Sequence, residues 1–289
     1  MKPAPFEYFA PSTLDEALAL LQRHGEDAKV LAGGQSLVPM MNFRLVRPKC
    51  LVDINRLSNL SYILESDGKL KIGALTRHRA LENSELVRHK NGLLSEAVRL
   101  IGHPAIRTRG TAGGSVAHAD PTAELPTVLA ALDGDVLAVG PRGRRSIGWR
   151  GFFLSYFTTV LEATEICAEI IVPVLSPQAG YAFEEFTRRH GDFAMAGVAA
   201  VLEVDGQNRC TLARLAVAGA GPTPVRAGAA EQFLKGETLS ERVLEEAGRR
   251  VAEEVDAESD LHASREYRRH LAGVMATRAL RRARQRCPS

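Results

Sequence analysis

Two short segments of nearly the same composition, Ala32-Gly33-Gly34-Gln35-Ser36 and Thr111-Ala112-Gly113-Gly114-Ser115, constrain this chain more than any other feature. Paired glycines permit backbone conformations closed to other residues and let a second group approach the main chain. Successive N–H groups can then converge on an anion, with a serine or threonine hydroxyl as an added donor. A diphosphate would suit two such segments. A tight turn without chemical consequence would use the same glycines, so composition alone leaves both readings standing. Neither segment is a P-loop, because no Gly-Lys-Ser or Gly-Lys-Thr follows, and neither has the G-x-G-x-x-G spacing of a dinucleotide turn. If a dinucleotide binds, neutral backbone donors from two loops must hold its phosphates.

Helix and strand patterns alternate around these segments. Thr13 and Glu16 have capping-box spacing ahead of a stripe formed by Leu14, Ala17, Leu18 and Leu21, and Gly25 closes that helix. Lys29-Val30-Leu31-Ala32 reads as a strand entering the first glycine pair. A connection carrying Pro39 and Pro48 leads to a second strand at Cys50-Leu51-Val52-Asp53-Ile54, giving a small β-α-β-β unit. A strand at Leu70-Lys71-Ile72, helical patterns over residues 77–87 and 93–101, and the second glycine segment as a strand-to-loop passage come next. A helix over 124–132 and strands over 136–139 and 169–172 complete the first half. Ser176-Pro177-Gln178-Ala179-Gly180 is the expected domain boundary. Beyond it, strand-like runs over 181–186, 196–204 and 212–218 give way to helical sequence.

Length and charge exclude several classes. The 289 residues are 45% hydrophobic, enough for two or three buried cores. Lys plus Arg total 37 against 34 Asp plus Glu, so a net charge of +3 gives no case for nucleic acid. Residues 194–202, among the longest apolar stretches, fall short of the roughly 18 that a membrane helix needs. The N-terminus lacks a charged segment followed by an apolar one, so a cytoplasmic protein is expected. Cys50, Cys167, Cys210 and Cys287 are scattered and form no C-x-x-C pair, which argues for reduced thiols and against a zinc or iron–sulfur site in this chain. The eight histidines show no ligand spacing, so no metal residues are expected. Ser115, His118 and Asp120 have the residue types of a hydrolase triad, but no G-x-S-x-G elbow accompanies them. The basic end, Arg278, Arg281, Arg282, Arg284 and Arg286, reads as cations complementing a helix C-terminus. Asp53, Arg107 and Arg109 read as braces for the loops, and Trp149, Phe152, Phe153, Tyr156 and Phe157 as core.

Leu31-Ala32-Gly33-Gly34-Gln35-Ser36-Leu37-Val38-Pro39-Met40-Met41, Leu51-Val52-Asp53-Ile54, Ile101-Gly102-His103-Pro104-Ala105-Ile106-Arg107 and the stretch from Thr111 to Pro121 together resemble the FAD-binding medium subunit of the molybdenum hydroxylases. This is the family of xanthine dehydrogenase and carbon monoxide dehydrogenase. Phe6-Glu7-Tyr8, Arg188-Arg189-His190-Gly191-Asp192-Phe193-Ala194 and Ala272-Gly273-Val274 extend the resemblance over nearly the whole chain.

The resemblance implies an α+β protein. A vanillyl-alcohol-oxidase-like, PCMH-type FAD-binding domain over 1–176, with subdomains of about 1–57 and 58–176, would precede a carbon monoxide dehydrogenase flavoprotein-like C-terminal domain of antiparallel sheet and helices over 177–289. Ala32, Gly33, Gly34, Gln35, Ser36 and Leu37 would wrap the FAD with Thr111, Ala112, Gly113, Gly114 and Ser115. Ile101, Gly102 and Ile166 would lie near the flavin, Asp120 would brace the loop or touch the cofactor, Glu124 would face the ribose or adenine end, and Phe193 would sit by the isoalloxazine ring. No residue would be catalytic toward substrate. A large molybdopterin subunit and a small subunit with two [2Fe–2S] clusters would be partners in a dimer of heterotrimers, hydroxylating an N-heterocycle or purine, an aldehyde or carbon monoxide. The alternative is a free-standing FAD-dependent oxidoreductase. Three departures stand out: Gln35 replaces a frequent histidine, no lysine occurs in Phe183-Glu184-Glu185-Phe186-Thr187, and Phe193 replaces a tyrosine found in some members.

Overall fold

The computed structural model describes residues 1–288. At the first helix, Leu14–His24, Thr13 Oγ1 accepts from the Glu16 amide while the Glu16 carboxylate accepts from the Thr13 amide, forming the expected capping box. Gly25, at φ +51°, ends it. This helix joins the outer strands of a parallel sheet, Glu7–Phe9 and Ala28–Leu31, and Cys50–Asp53 lies between them. The connection expected around Pro39 contains a further helix, Leu37–Asn42. Pro39 fits there because the amides of a first helical turn have no intrahelical acceptor to lose.

A second sheet is antiparallel and has five strands, in the order Ile63–Ser66, Lys69–Gly73, Ile166–Pro173, Asp135–Gly140 and Gly143–Gly148. The first and last of these were not expected, and both are exposed edge strands with weak apolar alternation. Six helices intervene between the second and fourth. The helical pattern over 77–87 is two helices, His78–Asn83 and Glu85–Lys90, because Ser84 ends one and caps the next through a hydrogen bond from the Val87 amide. The helices Pro104–Arg109 and Ala112–His118 correct the strand-to-loop reading of the second glycine segment.

The third sheet, Gly180–Phe186, Ala196–Val204, Cys210–Ala218 and Val225–Arg226, is antiparallel throughout. Its two faces serve different cores. Phe183, Ala199, Val201 and Ala216 join the central core, while Ala182, Ala200, Leu202 and Leu215 pack under the helices Gly228–Leu234, Glu241–Glu254 and Arg265–Arg286. The basic end belongs to that last helix. Arg281 pairs with Glu241, Arg282 with Glu184, and Arg286 with Glu96 at 2.6 Å. The expected aromatic core divides: Trp149, Phe152 and Phe153 are buried, and Tyr156 and Phe157 are exposed. The four cysteines are free thiols, three of them buried.

Candidate functional site

The two glycine segments meet. A Cβ on Gly33 would run into the Arg109 carbonyl and stand 2.9 Å from the Gly110 Cα. On Gly113 it would run into the Ala74 side chain and stand 2.8 Å from the Ala74 Cα. These glycines are thus required where backbones touch, and Gly34, at φ +72°, is required by its conformation.

The segments use their amides differently. Ala112 donates to Thr76 O, Gly113 to Ala74 O, Ser115 to Thr111 O and Gly114 to Thr111 Oγ1, so four successive donors of the second segment are consumed within the fold. Among the described residues, the amides of Gly33, Gly34, Gln35, Ser36 and Leu37 donate to nothing. The hydroxyls of Ser36 and Ser115 are also without hydrogen bonds. The expectation of two equivalent loops is therefore corrected: free backbone donors come from the first, and the second is its rigid support.

Side chains remote in sequence tie the segments together, and two of them, Asn55 and Arg77, the sequence reading passed over. Asn55 Nδ2 donates to the Ala32 carbonyl at 2.7 Å and to Asp53 Oδ1 at 2.6 Å. Arg77 donates to Asn55 Oδ1 and to the Arg109 carbonyl, each at 2.7 Å. Asp53 also accepts from the Tyr8 hydroxyl at 2.6 Å. Arg107 bonds the Ile101 and Gly102 carbonyls, both at 3.1 Å, and pairs with Glu82. The bracing reading of Asp53 and Arg107 stands, while Arg109 takes part through its carbonyl. Gln35 Nε2 folds back onto the Gly33 carbonyl at 3.1 Å. His78 is 4% exposed, and its Nε2 lies 3.0 Å from the Thr111 carbonyl, so that nitrogen carries the hydrogen. Burial holds its pKa down at about 4, and the Arg107 and Arg77 charges add to this.

A cavity of about 860 Å³ runs along this seam. Its wall includes every residue expected at the cofactor except Ala112, which is buried behind it. Ile101, Gly102 and Ile106 line it from one side, Phe157, Leu161 and Ile166 from another, and Gly191, Asp192 and Phe193 reach it from the loop before Ala196–Val204. Phe193 is 74% exposed. His118 lies against Phe157 with ring centroids 5.1 Å apart and planes tilted by 42°, and Asp120 accepts from the Thr122 amide and hydroxyl; neither bonds Ser115, so no triad forms among the described residues. Glu124 starts the helix Glu124–Ala131 on the cavity wall, and burial, Glu185 and Asp120 push its carboxyl up to about 8. Glu185 is raised to about 7 by burial. Sequence patterning had no signal for His78 or Asn55, whose roles depend on pairings across the fold, and it read Phe157 as core, whereas that ring lies on the cavity wall.

A run of free amides beside an apolar recess of this size defines a nucleotide-cofactor-binding protein of the α+β class. Comparison with known proteins narrows that class. Residues 4–175 match the family described as the FAD binding domain in molybdopterin dehydrogenase, and residues 181–283 match the CO dehydrogenase flavoprotein C-terminal domain. The chain belongs to this family of FAD-binding medium subunits. It is 44% identical to the 6-hydroxypseudooxynicotine dehydrogenase complex subunit alpha of Paenarthrobacter nicotinovorans, over 98% of this chain and 96% of that one. It superposes with a TM-score of 0.96 at 39% identity on a chain of carbon monoxide dehydrogenase from Hydrogenophaga pseudoflava, covering 100% of both. The TM-score is 0.94 at 35% identity for a chain of quinoline 2-oxidoreductase from Pseudomonas putida 86, covering 99% of both.

Proposed function

We propose that this chain is the electron-exit subunit of a cytoplasmic molybdenum hydroxylase, with molybdopterin on a large partner subunit and two [2Fe–2S] clusters on a small one, assembled as a dimer of heterotrimers. The observation that carries it is the run of five free amides, residues 33–37, on the wall of the 860 Å³ cavity. These donors and the Ser36 and Ser115 hydroxyls suit an anionic diphosphate, while Ile101, Ile166 and Phe193 suit an apolar ring system. Bound FAD supplies the exchange of electrons between carriers that no side chain here can perform. The chain's own part is to hold, orient and electrostatically tune that group.

Residues 1–176 and 177–289 are proposed as the cofactor-holding and C-terminal domains, the second closing the cavity with Gly191, Asp192 and Phe193. Among the described residues no group of His, Cys, Asp and Glu is placed to hold a metal, and no helix is long and apolar enough to cross a membrane. The names of two relatives, the 6-hydroxypseudooxynicotine and quinoline enzymes, support a nitrogen-containing aromatic substrate, bound and hydroxylated on the large subunit.

The test is the visible spectrum of the chain alone and co-purified with whatever binds it, followed by acid release of the chromophore. Flavin bands near ~370 and ~450 nm, releasable FAD, and iron–sulfur absorbance only in the co-purified sample are expected. Failure of both samples to contain or take up FAD would overturn the reading.

A further inference from the structure

Among the described residues Phe157 is the one aromatic side chain on a backbone of positive φ, +52°. It closes a two-residue turn between the strands Phe153–Ser155 and Thr158–Thr159, where Ser155 pairs with Thr158. Hairpin turns this short call for a residue at positive φ, and glycine, asparagine or aspartate fills the position at little cost. Asp67, Asp133 and Asn208, elsewhere in the chain at positive φ, are of that kind. A phenylalanine strains the backbone instead, because its Cβ crowds the following carbonyl. Burial does not offset the strain, since the side chain is 52% exposed.

The turn is nevertheless fixed in place. The Phe157 amide donates to the Ala119 carbonyl at 3.1 Å, at the end of the helix Ala112–His118, and the His118 ring flanks that of Phe157. On its other side the Tyr156 hydroxyl donates to Glu258 at 3.1 Å. Strain that the surrounding structure holds in place is characteristic of ligand contacts, and Phe157 stands on the cavity wall. Among the described residues, Phe157 and Phe193 are the two large apolar side chains that are both exposed and on that wall. They stand at the same end of it. Residues 258–262 link the two: Glu258 takes the Tyr156 hydroxyl, Asp260 pairs at 2.6 Å with Arg268, which donates to the Met195 carbonyl at 2.9 Å, and His262 Nδ1 lies 3.4 Å from Arg188.

We propose that Phe157 is a cofactor-binding residue whose ring packs against the isoalloxazine of FAD at the Phe193 end of the cavity. This rests on the reading of the cavity as an FAD site. Contact with a flat aromatic system covers the exposed part of the Phe157 ring and offsets the strain of its backbone. The residue therefore weakens the fold by itself and strengthens the bound state, a trade-off of stability for function.

The test is Phe157→Asn, which suits a positive φ and lacks the ring, beside Phe157→Tyr, which keeps the ring. FAD is stripped from the full chain in its native complex and retitrated by flavin fluorescence, and the thermal midpoint of the FAD-free chain is read separately. Phe157→Asn should leave that midpoint unchanged or raise it by about 2–4 °C, weaken FAD binding by at least about fivefold in Kd, and shift the visible bands of the flavin that still binds. Phe157→Tyr should keep the parental Kd within about twofold. A lowered midpoint, or a Phe157→Asn chain that fails to fold, makes the ring part of the fold's own packing and overturns the proposal. A smaller change in Kd, or an equal loss in Phe157→Tyr, does the same. Weakened binding with an unchanged spectrum puts the ring against the nucleotide half of FAD and overturns its place at the flavin. FAD that binds to neither the parent nor a variant sinks the cofactor reading itself, whereas parental binding by Phe157→Asn sinks only the role of Phe157.

Discussion

Gly33 rests directly on the carbonyl of Arg109, so the two glycine segments share one seam and a side chain on the first would collide with the backbone of the second. That contact, more than either turn, sets the wall of the cavity.

Gly33→Ala forces the seam apart. Overpacking against backbone costs about 1–3 kcal/mol, so a lowered thermal midpoint and a reduced flavin-to-protein ratio are expected together. Gly228→Ala is the control: a Cβ there meets nothing within 4 Å, and its midpoint should stay within about 0.5 kcal/mol of the parent.

Asn55→Ala removes the donor to the Ala32 carbonyl and the acceptor for Arg77. Leaving these partners unpaired costs about 1–3 kcal/mol in denaturant unfolding. A variant with parental stability and parental FAD retention would show that the seam does not need this link.

His78 supplies a pH dependence with a definite sign. Burial lowers its folded pKa from 6.5 to about 4, so the unfolded chain binds more protons in that window. Its stabilising contribution is complete above the unfolded value and is lost as pH falls from 6.5 through about 4. Glu124 and Glu185, raised from 4.5 to about 8 and about 7, act in the opposite sense, losing stability as pH rises from 4.5 through those values, and so oppose His78 between pH 4.5 and 6.5. His78→Gln should remove one acid-side loss, so that its stability relative to the parent rises as pH falls from 6.5 to 4, and a constant difference in unfolding midpoints across that range would rule His78 out as a source.

Phe193 is too exposed to hold the fold together. Phe193→Ala should leave the thermal midpoint within about 0.5 kcal/mol and alter the absorption and fluorescence of bound flavin. Identical spectra would place the ring away from this side chain.

Local signals in the sequence survived folding where the physics is local. Thr13 and Glu16 form their capping box within one turn, and the alternation of Val198, Ala199, Ala200 and Val201 assigns each residue to its face. The family resemblance, carried by contiguous motifs, anticipated the fold class, and all but one of the residues it singled out lie on the cavity wall. The helices at Leu37–Asn42 and Ala112–His118 were missed because proline and paired glycines usually interrupt a helix, and only their place in the first turn makes them tolerable here.

What the sequence by itself determined is that two glycine pairs exist, that each is followed by a hydroxyl, and that neither is a lone nucleotide motif. Only the tertiary structure decided that they do different work. The carbonyls of Ala74 and Thr76 take up the amides of Gly113 and Ala112, while nothing in the described fold takes up those of residues 33–37. The physical reason is that an amide's partner is chosen by whichever backbone packs beside it, and that neighbour is remote in the sequence and adjacent only in the folded chain.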